Sequence, residues 1–270
     1  MPRSASSPAV LPWILRTGVA MCFIGHGAYG IITKAGWLPY FAVAGIGEPL
    51  AWKLMPWVGA MDIAIGFLAF VWPCRALFAW GAAWAVWTAM LRPLAGQGWS
   101  EFFERAGNYG VPFACLVAVG LAGGWFTRLP ERWPLDSALV RRRLAWTLRL
   151  TTATLLLGHA GCALLLQKAA LANHYAVFGP SDPAAVMLAV GWIETALAAA
   201  VLLRPAPALL VSVAVWKLAT ESLFLTSGAM APFFEVVERG GSYIAPLALA
   251  WLTLRSPAPS APASLAAQSA

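Results

Sequence analysis

The stretch Glu101-Phe-Phe-Glu104-Arg105-Ala-Gly107-Asn108-Tyr109-Gly-Val-Pro112 is repeated later in the chain as Glu235-Val-Val-Glu238-Arg239-Gly-Gly241-Ser242-Tyr243-Ile-Ala-Pro246. Six of these positions are identical at a constant offset of 134 residues. Outside this stretch, other pairs match at offsets of 132 or 133: Gly25-His26 with Gly158-His159, Asp62 with Glu194, Trp84 with Trp216 and Thr88 with Thr220. The sequence therefore predicts an internal duplication.

The composition of the 270-residue chain is typical of an integral membrane protein. Hydrophobic residues make up 60%, charged residues 11%, the mean hydropathy is +0.72 and there are 15 tryptophans. A soluble domain has about 25% charged residues, and tryptophan is enriched at membrane interfaces. These values exclude a soluble enzyme, a disordered chain and a secreted disulfide scaffold. The net charge of +7 comes from basic residues that flank apolar segments, so the expected partner is the lipid bilayer and not nucleic acid.

The predicted fold class is an all-α, polytopic membrane protein with eight transmembrane helices in two parallel four-helix repeats. A span needs about 20 apolar residues, and the candidate segments are 11–33, 54–72, 75–94, 108–126, 146–167, 183–203, 206–226 and 242–254. The repeats cover 11–126 and 146–255, a basic linker covers 127–145, and tails at 1–10 and 256–270 are predicted to be disordered. Because each repeat has an even number of spans, both enter the membrane in the same direction, unlike inverted repeats.

Lysine and arginine residues are distributed unequally between the two ends of these spans. Eleven lie on the side of the termini and the linker, and seven lie on the other side. Positive charge is retained on the cytoplasmic side of membrane proteins. We therefore expect a multi-pass protein of the cell inner membrane with both termini and the linker in the cytoplasm.

Polar residues of several predicted spans fall at one depth, just below the outer surface. An ionisable side chain inside a span is costly, so each needs a partner or a task. The residues predicted to exchange protons are His26, Asp62, His159 and Glu194, and those predicted to bind substrate are Arg105, Asn108, Tyr109, Lys217, Glu221, Arg239 and Tyr243. The structural alternative is that these groups satisfy one another and only fix helix packing.

Within this set we expect His26 to pair with Asp62, and His159 with Glu194. The pairs Glu104–Arg105 and Glu238–Arg239 are expected to lie at the outer surface, where exposed ion pairs contribute only about 0–1 kcal/mol. The deeper pairs should therefore dominate stability. Lys217 and Glu221 are spaced to pair on one helix face, and the first half has Ala85 and Ala89 instead, which slightly favours the second half as the active one.

The sequence contains no recognisable metal motif, phosphate loop or nucleophile elbow. A haem bound between His26 and His159 is a weaker alternative, as is a copper-type site formed by Cys22 with His26 or by His159 with Cys162. The four cysteines form no CxxC pair and are interpreted as small apolar residues.

The repeated pattern resembles the DoxX/DoxD-like family of four-span membrane proteins. The resemblance is carried by Gly25-His26 with Lys34 in the first span, by Asp62 in the second and by Gly107-Asn108-Tyr109 at the start of the fourth, each with a counterpart in the second half. It implies a redox-associated membrane subunit, quinone-linked in some members, that works with a partner protein. Members that act without catalysis make a membrane scaffold or assembly factor the alternative, with a small-molecule transporter third.

Overall fold

The computed structural model describes residues 10–227 and 232–255, and the described chain is helical with no strand. The expected tails therefore lie outside the described residues, apart from Val10. The helices are α1 (Val10–Ile31), α2 (Leu38–Val43), α3 (Glu48–Val71), α4 (Arg75–Leu94), α5 (Trp99–Glu104), α6 (Ala106–Val119), α7 (Ala138–Leu164), α8 (Ala169–Tyr175), α9 (Pro183–Leu203), α10 (Pro207–Ser222), α11 (Pro232–Glu238) and α12 (Gly240–Leu254).

Four of the described helical segments are long and apolar enough to cross a membrane: α1, α3, α9 and Pro207–Thr226, which includes α10. A fifth is reached if α7 and α8, which are bent by 98° relative to each other, count as one broken span. With 14 residues, α6 is about 21 Å long at 1.5 Å per residue, shorter than the roughly 30 Å hydrocarbon core. The fold is thus that of a helical membrane protein.

Several helix ends differ from those expected. The helix of the fourth segment ends at Val119 instead of residue 126, because Gly120 adopts a φ of 67° that breaks it. In the second segment, α3 starts at Glu48 instead of residue 54, with a proline in its first turn. The last part of the expected linker is helical, since α7 starts at Ala138 and Ser137 caps it by accepting a bond from the Val140 amide.

Contacts in the first half recur in the second half at the offsets seen in the sequence. Arg16 donates to the carbonyl of Ala69 at the end of α3 (2.7 Å), and Arg149 donates to the carbonyl of Val201 at the end of α9 (3.0 Å). These cations lie where a helix carboxyl end carries partial negative charge. Thr33 and Gln167, each just after the end of α1 or α7, both have positive φ, at 56° and 45°.

The two halves exchange their short connecting helices. Helix α5 of the first half packs on α7 of the second, and α11 of the second half packs on α1 of the first. The approach is so close that a Cβ atom at Gly158 would overlap the backbone of Glu104, and one at Gly25 would overlap the backbone of Glu238. Gly107 and Gly241 meet backbone to backbone, and both α6 and α12 contact α1 as well as α7.

Candidate functional site

His26 on α1 and Asp62 on α3 form a buried pair, as expected from the sequence. The His26 Nδ1 atom lies 2.6 Å from Asp62 Oδ2, and Asp62 is fully buried. The other carboxylate oxygen, Oδ1, has no hydrogen-bond partner among the described residues. The imidazole also stacks on Trp37, with ring centroids 4.6 Å apart. A carboxylate on Nδ1 sets the tautomer and leaves Nε2 to face a ligand.

A cavity of about 230 Å³ lies beside His26. Its wall is mainly aromatic and aliphatic, and its polar groups are His26, Tyr40, Thr88 and Arg92. Arg92 donates to the Tyr40 hydroxyl at 2.7 Å, and that hydroxyl donates to Gln97 at 2.9 Å. The aromatic lining residues are Trp37, Tyr40, Phe41, Trp57, Trp84 and Trp87.

This cavity lies between α3 and α4 beneath α2. Trp57 of α3 is 76% exposed and Trp87 of α4 is 43% exposed, so both stand at its rim. Exposed tryptophans on a membrane protein face lipid or the interface. The cavity therefore opens at a face of the molecule that exposes tryptophans.

A second, much smaller cavity of about 20 Å³ lies against His26 as well. Its volume is that of about one water molecule. Its lining includes Asn108, Glu238 and three residues with a buried nitrogen that has no hydrogen-bond partner in the described chain: Trp84 Nε1, Arg92 Nε and Arg105 Nε. Unpaired buried donors cost free energy. The small cavity on this side of His26 is therefore lined by hydrogen-bond donors that lack partners.

The corresponding carboxylate of the second half, Glu194, is fully satisfied. It bonds His159 Nδ1, accepts from Trp216 Nε1 at 3.2 Å and lies 3.2 Å from Lys217 Nζ. Lys217 also pairs with Glu221 at 2.8 Å, as the sequence predicted. All of these groups except Trp216 are at most 5% exposed.

The difference between the halves thus comes from a few substitutions at equivalent positions. Trp84 corresponds to Trp216, yet its indole nitrogen is unpaired, because Asp62 is one carbon shorter than Glu194. Ala85 stands where the second half has Lys217, and it lines the small cavity. The unsatisfied site lies in the first half, so the slight preference for the second half is not supported by this geometry.

Charged residues of the two predicted clusters, apart from the His26–Asp62 pair, form one ionic network that crosses between the halves. From Glu221 the network continues to Arg239 (3.1 Å), then to Glu104, Arg105 (3.2 Å from Glu104) and Glu101 (2.8 Å from Arg105). Lys168 pairs with Glu101, and Lys34 pairs with Glu235 at 2.5 Å, so each of these lysines reaches the other half. Arg92 lies 3.8 Å from Glu101 and links the larger cavity to the network.

The expectation that the Glu104–Arg105 and Glu238–Arg239 pairs are exposed at the surface is wrong. Glu104 is only 9% exposed and Glu238 6%. The reason is the exchange of connecting helices, which buries α5 against α7 and α11 against α1. Arg239 pairs with Glu104 of the other half and with Glu221, instead of with its neighbour Glu238.

The carboxylates of the connecting helices, outside the membrane-spanning segments, are held ionised by this network. Burial would raise the pKa of Glu104, but Arg239 and Arg105 outweigh it and hold the pKa well below its usual value. Burial would also raise the pKa of Glu235, yet Lys34 and Arg239 lower it to about 2. Burial lowers the pKa of Arg239, while Glu104 and Glu221 raise it well above its usual value. Glu104, Glu235 and Arg239 therefore stay charged at neutral pH.

The two tyrosines predicted to bind substrate do not line either cavity beside His26. Tyr109 stacks on Phe102 with centroids 5.3 Å apart, and the Tyr243 hydroxyl donates to the Val236 carbonyl at 3.0 Å. Both therefore hold a connecting helix to the helix that follows it. Of the other predicted binding residues, Asn108 and Arg105 line the small cavity, and Lys217, Glu221 and Arg239 belong to the network.

The sequence interpretation missed Trp37, Tyr40 and Arg92, which complete the larger cavity. A signal for Arg92 was present, because the equivalent position in the second half, at an offset of 132, is Phe224. Under the expected duplication, an ionisable residue present in one half only is a candidate for a role specific to that half. Trp37 and Tyr40 lie in a connecting segment, where the copies align poorly.

A metal or a shared haem finds little support in this arrangement. Glu101, Glu104 and Cys162 bring possible ligand atoms within 4.8 Å of one another, but Lys168, Arg105 and Arg239 already neutralise the two carboxylates. His26 and His159 lie on α1 and α7, and these two helices each pack against α6 and α12. Comparison of the chain with protein-family models, with curated proteins and with solved structures finds no match.

Proposed function

We propose that the chain is a tandem pair of DoxX/DoxD-like four-helix units that cross the cell inner membrane eight times, with termini and linker in the cytoplasm. The support is the recurrence of contacts at equivalent positions, including those of Arg16 and Arg149. The first repeat would contribute α4 and the short α6 as spans, and the second repeat would contribute α10 and the short α12. The short helices α6 and α12 are flanked by protein on several sides, where a span need not match the full bilayer thickness.

Within this fold, the chain binds the ring of a quinone-type molecule in the cavity beside His26. The observation that carries this proposal is the 230 Å³ aromatic cavity with His26, Tyr40 and Arg92 at its polar positions. An apolar cavity of about 150 Å³ already holds benzene, so this one has room for a substituted ring. Apolar walls with a few polar groups are the usual form of a small-molecule site.

The polar groups suit the two oxygens and the proton chemistry of a quinone. Arg92 is a permanent donor and can bond one ring oxygen, and the Nε2 atom of His26 can exchange a proton with the other. Reduction of a quinone by two electrons takes up two protons, and oxidation of the quinol releases them. His26 and Asp62 supply or accept protons in this process, while a partner protein supplies or accepts the electrons.

The second half plays a structural role in this proposal. Its carboxylate Glu194 is saturated by His159, Trp216 and Lys217, so neither oxygen of this carboxylate is left to bind a ligand. This saturation is also the observation that favours the alternative function, a non-catalytic membrane scaffold. If the first half behaved in the same way, the whole protein would be such a scaffold.

The proposal is tested by titrating a short-tailed quinone into the protein in nanodiscs and following tryptophan fluorescence. Loss of one hydrogen bond to a ligand costs about 1.5 kcal/mol, or roughly tenfold in affinity, so His26→Gln should weaken binding by about that factor. His159→Gln is the matched control in the other half, and His174→Gln on α8 is a second control. Both should bind like the wild type per folded molecule. Equal binding by all three variants, or none by the wild type, would favour the scaffold.

A further inference from the structure

A long groove runs along the outside of the molecule at the boundary between the two halves. It has a volume of about 1020 Å³ and is formed by α4 and α6 of the first half and the first part of α7 of the second. Small residues, among them Ala79, Ala82 and Ala83, leave room along it, and Phe113 and Trp146 provide aromatic walls. It lies apart from the cavity beside His26.

Two cations mark one end of this groove. Arg142 and Arg143, in the first turns of α7, both line it. Both are exposed, and neither side chain has an ion-pair partner among the described residues. Their neighbour Arg141 differs, because it donates to the Leu135 carbonyl at 3.2 Å. The same end of the helix assembly carries Arg75, Arg128 and Arg132, so it is the positively charged face.

The length of the groove matches one leaflet of a bilayer. From Arg142 to Thr154, the lining residue on α7 furthest from the arginines, the helix rises about 18 Å at 1.5 Å per residue. Half of the roughly 30 Å hydrocarbon core is about 15 Å. An acyl chain anchored by its headgroup at the arginines would therefore lie along the groove and end near the middle of the membrane.

We propose that this groove binds an anionic phospholipid, with its phosphate on Arg142 and Arg143 and an acyl chain along α4, α6 and α7. Basic residues beside a groove between transmembrane helices recognise anionic headgroups, and the arginine fork matches phosphate oxygens. The lipid would fill the boundary that joins the two halves. Because this boundary is separate from the quinone cavity, the proposal stands or falls independently of the proposed function.

The test is native mass spectrometry of the protein extracted from nanodiscs that contain phosphatidylglycerol and phosphatidylcholine in equal amounts. The wild type should retain phosphatidylglycerol preferentially. An arginine at a membrane surface changes anionic-lipid affinity about fivefold, so Arg142→Gln/Arg143→Gln should weaken retention by roughly 30-fold. The matched control, Arg128→Gln/Arg132→Gln, removes the same charge from exposed positions of the linker and should retain the lipid.

A second pair of variants tests the apolar part of the groove without changing charge. Ala83→Trp fills it and should lower phosphatidylglycerol retention, while Ala64→Trp, at an exposed position of α3, should not. Thermal unfolding of each variant confirms that it is folded. Three results would overturn the proposal. The two arginine double variants could lose phosphatidylglycerol equally, or the wild type could retain phosphatidylcholine as well as phosphatidylglycerol. Ala83→Trp could also change the oligomeric state without any loss of lipid. The last outcome would identify a second copy of the chain as the occupant.

Discussion

Asp62 and Glu194 occupy equivalent places but face different electrostatic surroundings. Glu194 is fixed by a histidine, an indole and Lys217, which is itself 1% exposed. Asp62 has a single histidine partner, and histidine can release its proton when that partner is lost. Without the negative charge at residue 194, Lys217 therefore keeps only one of its two carboxylate partners. Without the negative charge at residue 62, no permanently charged side chain loses its partner.

We therefore predict that Glu194→Gln destabilises the protein more than Asp62→Asn does. Breaking a buried ion pair costs about 3–5 kcal/mol, and Lys217 keeps Glu221, so the lower end of this range applies to Glu194→Gln. Asp62→Asn should cost about 1 kcal/mol, the contribution of an ordinary hydrogen bond. Denaturation of the two variants in detergent measures the difference. Equal losses would show that His26 is as strongly dependent on its carboxylate as Lys217 is.

The burial of Glu104 changes the expected order of residue effects. The sequence suggested that deep pairs such as His26–Asp62 outweigh a screened pair at residue 104. Glu104 is instead buried against Arg105 and Arg239, and its removal takes one carboxylate partner from each of these arginines, which keep only Glu101 and the carboxylates of the second half. Depth along a span could be counted from the sequence, but burial by the other half could not.

At the scale of helices, the connecting helices α5 and α11 determine how the polar groups meet. The histidine–carboxylate pairs could be predicted because both partners lie on long spans whose direction follows from the chain order. The exchange of α5 and α11 between the halves could not be predicted. The offset between matching residues is the same whether a connecting helix packs on its own half or on the other half. The larger cavity was missed for a related reason, since Trp37 and Tyr40 lie between spans.

The exchange depends on glycines in the spans that receive these helices. A Cβ atom at Gly158 on α7 would overlap the backbone of Glu104 on α5, and backbone cannot move aside as a side chain can. We predict that Gly158→Ala forces α5 away from α7 and destabilises the protein by about 1–3 kcal/mol, the usual cost of overpacking.

Gly36→Ala is the control for this substitution. The nearest atoms to a Cβ there belong to the flexible Lys34 side chain, 3.9 Å away. Thermal unfolding in detergent, followed by tryptophan fluorescence, compares the two variants. If Gly158→Ala unfolded at the wild-type temperature, α5 would not be packed on α7 as described.

At the scale of the whole molecule, neither half completes its own interior. The first half alone would expose the Gly25 face of α1, where α11 packs, and would leave Glu101 without Lys168 and Glu104 without Arg239. Both carboxylates would keep Arg105, but the loss of one partner from a buried ion-pair network is destabilising. The linker between the halves, in contrast, is exposed at Asp136 and Ser137, so its continuity contributes little to the packing.

We predict that fragments 1–136 and 137–270, expressed together, associate in the membrane and co-purify, because each supplies the connecting helix and the cations that the other requires. Ser137 remains with the second fragment and still caps α7. Gly107→Leu should abolish co-purification, since a side chain there would overlap the Gly241 backbone where the halves meet, while Gly36→Leu should not. Affinity purification through a tag on one fragment, with detection of the other, measures the association. Recovery of the two fragments as separate, stably folded monomers would contradict it, since the ionic network could then not be shared between the halves.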